Sequence, residues 1–402
     1  MASFAWLVAV PALLAVYFTT MVAGASYALF AVILGTGWLA IAQGLQARGV
    51  RVPAAPTLIY FAIFIWLAAT TFHAAFVLPG YGSEPQFKAL AAVAISSTVF
   101  LLAPQFLRTT IELERFFRVL HMSGVVIAAS VWLGIAGVGF GEVLEFRTGE
   151  VRAFGPLGDQ VGFALALFAL LALARRSWTV LVFQIGALLV LIVGIAVVAL
   201  QEKGSGMGVR ALGRMLWILA GAAMLIGVLL LTPVGQDFLS RVVEPDRLFA
   251  TLAQRAGSLV LGFDMVVDRP LLGAGFNGFA AMAWEYDPRL YFVVFRPAFV
   301  SNAGNQWVQL GAEGGVMAIA LVAAFVVVMV RRQWLAARDA APEVAPGLRA
   351  ATAWSLAFVV ANQGACWLMP NSLPSFYWFL LFGVANAALA ISRPAASAAN
   401  VT

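Results

Sequence analysis

The sequence predicts an all-α polytopic membrane protein of about 12 transmembrane helices, with a structured helical loop on one side of the bilayer. Two observations carry this. Hydrophobic residues make up 63% of the chain and charged residues 10%, too little charge to cover a soluble domain of this length. Apolar runs near the length of about 20 residues that a helix needs to cross a bilayer recur along the chain. Mean hydropathy is correspondingly high, at +0.96.

Taken in order, eleven runs are visible, near 4–22, 25–45, 56–79, 88–105, 118–138, 159–175, 179–200, 211–232, 306–330, 350–369 and 374–392. The first run has neither a charged leader nor a clear cleavage site, so it reads as a retained span. Most connections are short, and two are long: 139–158 and 233–305. The chain therefore divides into an N-terminal bundle (1–232), a loop (233–305) and C-terminal helices with a short tail (306–402).

Arginines in short loops set orientation. Arg48 and Arg51, then Arg108, Arg115 and Arg118, then Arg175 and Arg176 mark the cytoplasmic side of the first half. Arg331, Arg332, Arg338 and Arg349 mark 331–349 as cytoplasmic in the second half. Both long loops then lie outside and both termini inside. That arrangement needs an even number of spans. The twelfth crossing belongs between about 176 and 232, where the polar break "QEKGSGMGVR" (201–210) is a short helical pair, a broken helix or a re-entrant turn.

The 233–305 loop is not linker-like. Leu252, Leu259, Phe263, Val266 and Val267 recur at helical spacing, which predicts an amphipathic helix lying over the outer face of the bundle. Pro270 ends it, and Gly273, Gly275 and Gly278 supply a tight turn. Loops of this length are usually functional.

Composition excludes several function classes. The net charge of +6 is a topology signal of cytoplasmic arginines, not a sign of nucleic acid. The single cysteine, Cys366, forbids an intramolecular disulfide, and two distant histidines, His73 and His121, argue against a His-based metal cluster. His121 follows the cytoplasmic arginines; His73 lies in the outer part of its span. The abundant Trp and Phe fit interfacial belts and lipid contact. Trp284 and Tyr286, in the long loop, are the exceptions to test for sugar contact.

Chemistry concentrates where that loop meets the next span. In "AFVSNAGNQWVQLGAEGG" (298–315), Asn305, Gln309 and Glu313 fall four apart, on one helical face. Polar groups within a span are costly, so they are functional or paired. The plainer reading is hydrogen bonding to neighbouring helices, and both stay open. Asn362 and Gln363 read as structural.

The stretch "PLLGAGFNGF" (Pro270 to Phe279), with Arg255 fifteen residues ahead of it and "GNQWVQLGAEGG" following, resembles the core signature of the O-antigen ligase and polymerase family. Asn305, Gln309, Glu313 and Gly315 match the family's "H-N-x-x-L-Q-x-x-x-E-x-G" pattern, with Val308 in place of Leu. "RAFGPLGDQ" (Arg152 to Gln160) is similar to the family's polar stretch ahead of a span, and "GSGMG" (204–208) to its "S-R" motif. In order, these cover about residues 139–330. Two positions depart from the pattern. Gly304 stands where the family has His, and Gly206 where it has Arg, with Arg210 close enough to supply the missing charge.

The resemblance implies a metal-independent glycosyltransferase without cofactor, in the bacterial inner membrane, its site facing the periplasm. The donor would be an undecaprenyl-diphosphate-linked glycan and the acceptor lipid A–core, with membrane lipids around and no nucleic acid. Polymerase and protein O-oligosaccharyltransferase are alternatives within the family; a non-catalytic transporter or lipid-glycan binder is the alternative outside it. Diphosphate departure needs cations, which Arg supplies bidentately, and the acceptor hydroxyl needs a base such as neutral His. The resemblance thus points to the position of Gly304, with Asn305, Arg255 and Arg210, as the catalytic set. Arg152, Arg296, Gln309, Glu313 and Trp284 are the substrate-binding set.

Overall fold

The structure is a computed structural model. It describes residues 53–78, 83–135, 144–147, 150–153, 245–286, 302–363, 366 and 373–392, with isolated positions between 35 and 43. The predicted spans at 4–22, 159–175, 179–200 and 211–232, and the 201–210 break, lie outside the described residues, as does nearly all of 25–45. Nine helices and one two-stranded hairpin are described: α1 (Ala54–Val77), α2 (Ser83–Ser97), α3 (Val99–Phe106), α4 (Thr110–Ile135), β1 (Leu144–Arg147), β2 (Glu150–Ala153), α5 (Pro245–Asp268), α6 (Phe279–Tyr286), α7 (Gln306–Asp339), α8 (Ala345–Ala361) and α9 (Leu373–Ser392). Four helical stretches among them are long and apolar enough to cross a membrane: α1, α2–α3 together, α7 and α9.

Helix α1 is apolar on all sides. Tyr60, Ile63, Leu67 and Ala74 are buried in the bundle, while Leu58, Phe61, Ile65, Phe72 and Phe76 are exposed on other faces. A helix with apolar residues all round is suited to protein on one face and lipid on the other. The Tyr60 hydroxyl ties α1 to the end of α2, donating to the Ala94 carbonyl at 2.7 Å and lying 2.9 Å from Ser97 Oγ.

The predicted 88–105 span is two helices, joined at Thr98. Ser96, Ser97 and Thr98 all return their hydroxyls to carbonyls three residues back, which competes with the helical ladder and bends it. The 118–138 span begins eight residues early. Its start is fixed at Thr109 and Glu112: the Glu112 carboxylate accepts from the amides of Arg108 and Thr109, and Thr109 Oγ1 accepts from the Glu112 amide. This reciprocal pair is a capping box, and it draws the Arg115 and Arg118 cluster into the first turns of α4.

The all-helical expectation needs one correction. Within 139–158 the chain pairs β1 with β2 antiparallel, in the register Leu144↔Ala153 and Glu145↔Arg152.

The core lies between α1, α3, α7, α8 and α9. Phe325 of α7 stands at its centre, its ring within 6.5 Å of those of Tyr60, Phe100, Trp378, Phe379 and Phe382. Helices α3 and α9 approach closely where Gly383 faces Ala103 and the Phe100 backbone. Small residues at such crossings let helix backbones meet where lipid supplies no hydrophobic drive.

The predicted helix of the 233–305 loop is present as α5, and it ends before Pro270 as expected. The predicted stripe is met in part: Leu259 and Val266 pack against the core that α5 shares with α7. Phe263 and Val267 are exposed (52% and 78%), while Leu261 and Met265 are buried with Phe279, Met282, Val308 and Ala312. Gly262 lies against Val308. The α5–α6 segment therefore shares a core with α7.

Candidate functional site

The two stretches "PLLGAGFNGF" and "GNQWVQLGAEGG" interlock at a break in α7. At Gly315 the backbone leaves helical geometry, with φ 70° and ψ −176°. A break frees carbonyls and amides that must find partners, most of all inside a membrane. The loop after α5 supplies them. Val316 N donates to Pro270 O at 2.8 Å, and Ala274 N donates to Ala312 O at 2.8 Å. From α1, Trp66 Nε1 donates to Gly314 O at 2.8 Å. Thr71 Oγ1 accepts from Phe276 N at 3.0 Å.

Glycine is required at two of these contacts. A β-carbon at Gly315 would collide with the Leu271 carbonyl, and one at Gly273 (φ 61°) would stand 2.5 Å from the Glu313 carbonyl carbon. Both also have positive φ, which L-residues with side chains adopt at a cost.

The polar stripe of α7 lies within this interlock. Asn305 is the N-cap: its Oδ1 accepts from Trp307 N at 2.9 Å and Val308 N at 3.3 Å. Its Nδ2 donates to Gln363 O at 2.9 Å, and Gln306 N donates to Asn362 O at 2.9 Å. These bonds fasten the start of α7 to the end of α8. One turn on, Gln309 Oε1 accepts from Ala303 N at 2.7 Å, and the Cys366 thiol lies 3.7 Å away. Gln309 Nε2 donates to Glu313 Oε1 at 2.6 Å. The same oxygen accepts from Phe279 N at 3.3 Å. Gln309 and Glu313 are both buried. Their bonds hold the 303–305 turn and the α6 start against α7.

Gly304 is different. It is half-exposed, with φ 68°, and its amide donates to Asn302 Oδ1 at 2.9 Å. It caps the interlock at the exposed end of the stripe, directly before Asn305. A side chain here would be carried on a left-handed turn. His and Asn are enriched in this backbone region relative to other residues.

The remaining candidates are placed less fully. Arg255 is on α5, seven residues before the Gly262–Val308 contact, or about 10 Å along the helix on the side away from the α7 break. Trp284 is on α6, and Arg152 is on β2 opposite Glu145. Nothing brings Arg152 into the interlock among the described residues. Arg210, Gly206 and Arg296 lie outside them. Trp66 and Thr71, which carry α1 into the site, lie within an apolar run that gives no local signal. The adjacent pair Gly314–Gly315 ahead of an apolar run is a signal of the break.

Compared with protein-family models and with curated proteins, the chain matches none.

Proposed function

We propose that this chain is a glycosyltransferase of the O-antigen ligase type, acting at the periplasmic face of a bacterial inner membrane. It would transfer a glycan from undecaprenyl diphosphate to a hydroxyl of lipid A–core. One observation carries the reading. The two stretches that resemble the family's signature, separated by a connecting segment in sequence, are bonded to each other around Glu313 and the α7 break.

In this reading the interlock is the rigid floor, and Gly304 and Asn305 stand at its exposed rim. Arg255, carried on α5, would offer a fork-shaped cation to the diphosphate as it leaves. Arg210, Arg152 and Arg296 are further cations for the same charge, and Trp284 is a surface for a sugar ring. Gly304 leaves the acceptor hydroxyl without the family's imidazole, so the chain is a slow variant of the ligase.

A second reading, a lipid-glycan binder or transporter without turnover, is favoured by the same Gly304 together with the broken helix α7. Broken helices with satisfied ends are a feature of transporter sites. Purified protein in lipid nanodiscs, mixed with undecaprenyl-diphosphate glycan and lipid A–core, separates the two. Ligated product supports the transferase; donor binding with no product from this chain or from Gly304→His supports the binder.

A further inference from the structure

We infer that the C-terminal half of α5 and the Arg269–Gly278 loop form a re-entrant element, with the stripe Val260, Phe263, Val267 and Leu271 seated on the acyl chains of the bilayer. The inference rests on the membrane-spanning reading alone and is independent of the glycosyl-transfer proposal.

Depth is the first argument. The loop is bonded to α1 well inside that span. Phe276 N reaches Thr71 Oγ1, and Thr71 lies six residues from Val77, about 9 Å below that end of the helix. Trp66 reaches Gly314 at the α7 break, where Val316 N meets Pro270 O. Trp66 is eleven residues from Val77, about 16 Å down, in a helix whose 24 residues are about 36 Å long. The Pro270 end of the loop is thus level with the middle of α1, in a bilayer whose apolar core is about 30 Å thick.

Backbone accounting is the second. Irregular chain at membrane depth is tolerated where its polar groups are satisfied by protein. Here Gly273 N bonds Arg269 O, Gly278 N bonds Gly275 O, and Pro270, Ala274 and Phe276 are bonded to α7 and α1. A loop built for water would not need this pairing with two membrane-spanning helices.

The exposed stripe is the third. Val260 (57%), Phe263 and Val267 share the side of α5 opposite Leu261, Gly262 and Met265, which pack on α7, and Leu271 (65%) is exposed in the loop that follows. The stripe ends at Leu271 against Gly315. There it adjoins Val316 and Met317, themselves exposed on the membrane-spanning α7. The apolar surface is therefore continuous from a span onto α5, which names lipid as its occupant. Asp264 and Asp268 border one edge of the stripe, where Tyr286 bonds Asp268 and Arg269, so α5 lies at the boundary between acyl chains and a polar side.

The test uses full-length protein in nanodiscs, with Cys366→Ala as background and single cysteines at Val267→Cys, Leu271→Cys and, as the exposed control, Glu343→Cys. Melting curves establish that each variant folds. A membrane-impermeant maleimide is expected to label Val267→Cys and Leu271→Cys at least tenfold more slowly than Glu343→Cys. Bimane attached at the two positions is expected to be quenched when the lipids carry brominated acyl chains. Labelling as fast as the control overturns the inference. So does slow labelling without quenching by brominated lipid, which would mean that protein covers the stripe.

Discussion

Val316 donates its backbone amide to the carbonyl of Pro270 at 2.8 Å. In an unbroken helix that amide would be bonded to Ala312, whose carbonyl instead accepts from Ala274. The loop has replaced one rung of α7, and the replacement is possible because Gly315 turns the chain there.

Gly315→Ala should therefore be among the most disruptive small substitutions in the protein. The added methyl meets the Leu271 carbonyl, and the residue keeps a left-handed backbone. Strain and overpacking together should cost roughly 2–5 kcal/mol. Thermal unfolding in detergent measures it; a melting temperature equal to that of the parent would remove the interlock as a rigid unit.

Glu313 offers a sharper comparison. Its carboxylate accepts from the amides of Asn277 and Phe279 and from Gln309. Glu313→Gln keeps an oxygen for Phe279 and Gln309, so its loss should be the smaller. Glu313→Leu leaves all three donors without this acceptor, at roughly 1–3 kcal/mol each. Unfolding curves for the pair should separate clearly, and equal destabilisation would argue that the negative charge, not the acceptor, matters.

At Asn305 the two ends of the side chain do different work. Asn305→Asp retains the capping oxygen and loses the bond to Gln363; Asn305→Ala loses both. Loss of an N-cap costs about 0.5–2 kcal/mol. Asn305→Ala should be the less stable of the two by about that amount, read from the same melts.

Arg255→Ala tests the diphosphate role. Loss of a charge-assisted contact, roughly 1.5–3 kcal/mol, should lower kcat/KM for the donor on the order of 10- to 100-fold with little change in melting temperature. Unchanged donor kinetics would remove Arg255 from the site.

The spans at α1, α7 and α9 were legible because uninterrupted apolar runs leave few alternatives. The stripe of Asn305, Gln309 and Glu313 was legible as a face, since helical spacing fixes it. Its partners were not, because Phe279 comes from the start of α6 and Gln363 and Cys366 from the end of α8 and beyond, both distant from the stripe in sequence. The stripe of α5 was legible in part: Leu259 and Val266 pack on the shared core, while Phe263 and Val267 face outward. Apolar periodicity points to the core only where the alternative is water, and Gly262, with its small-residue approach to Val308, marks the packing side more closely. The hairpin at 144–153 joins two strands of only four residues, too short for their alternation to stand out within a long loop.

The most direct measurement is glycan transfer by the parent chain and by Gly304→His, side by side in nanodiscs with undecaprenyl-diphosphate glycan and lipid A–core. Imidazole at the exposed 304 turn, one residue from the Asn305 cap, should raise turnover, by about 10²–10⁴-fold if it serves as the general base. Equal turnover by the two would contradict the role of position 304, and no product from either would contradict the transferase itself.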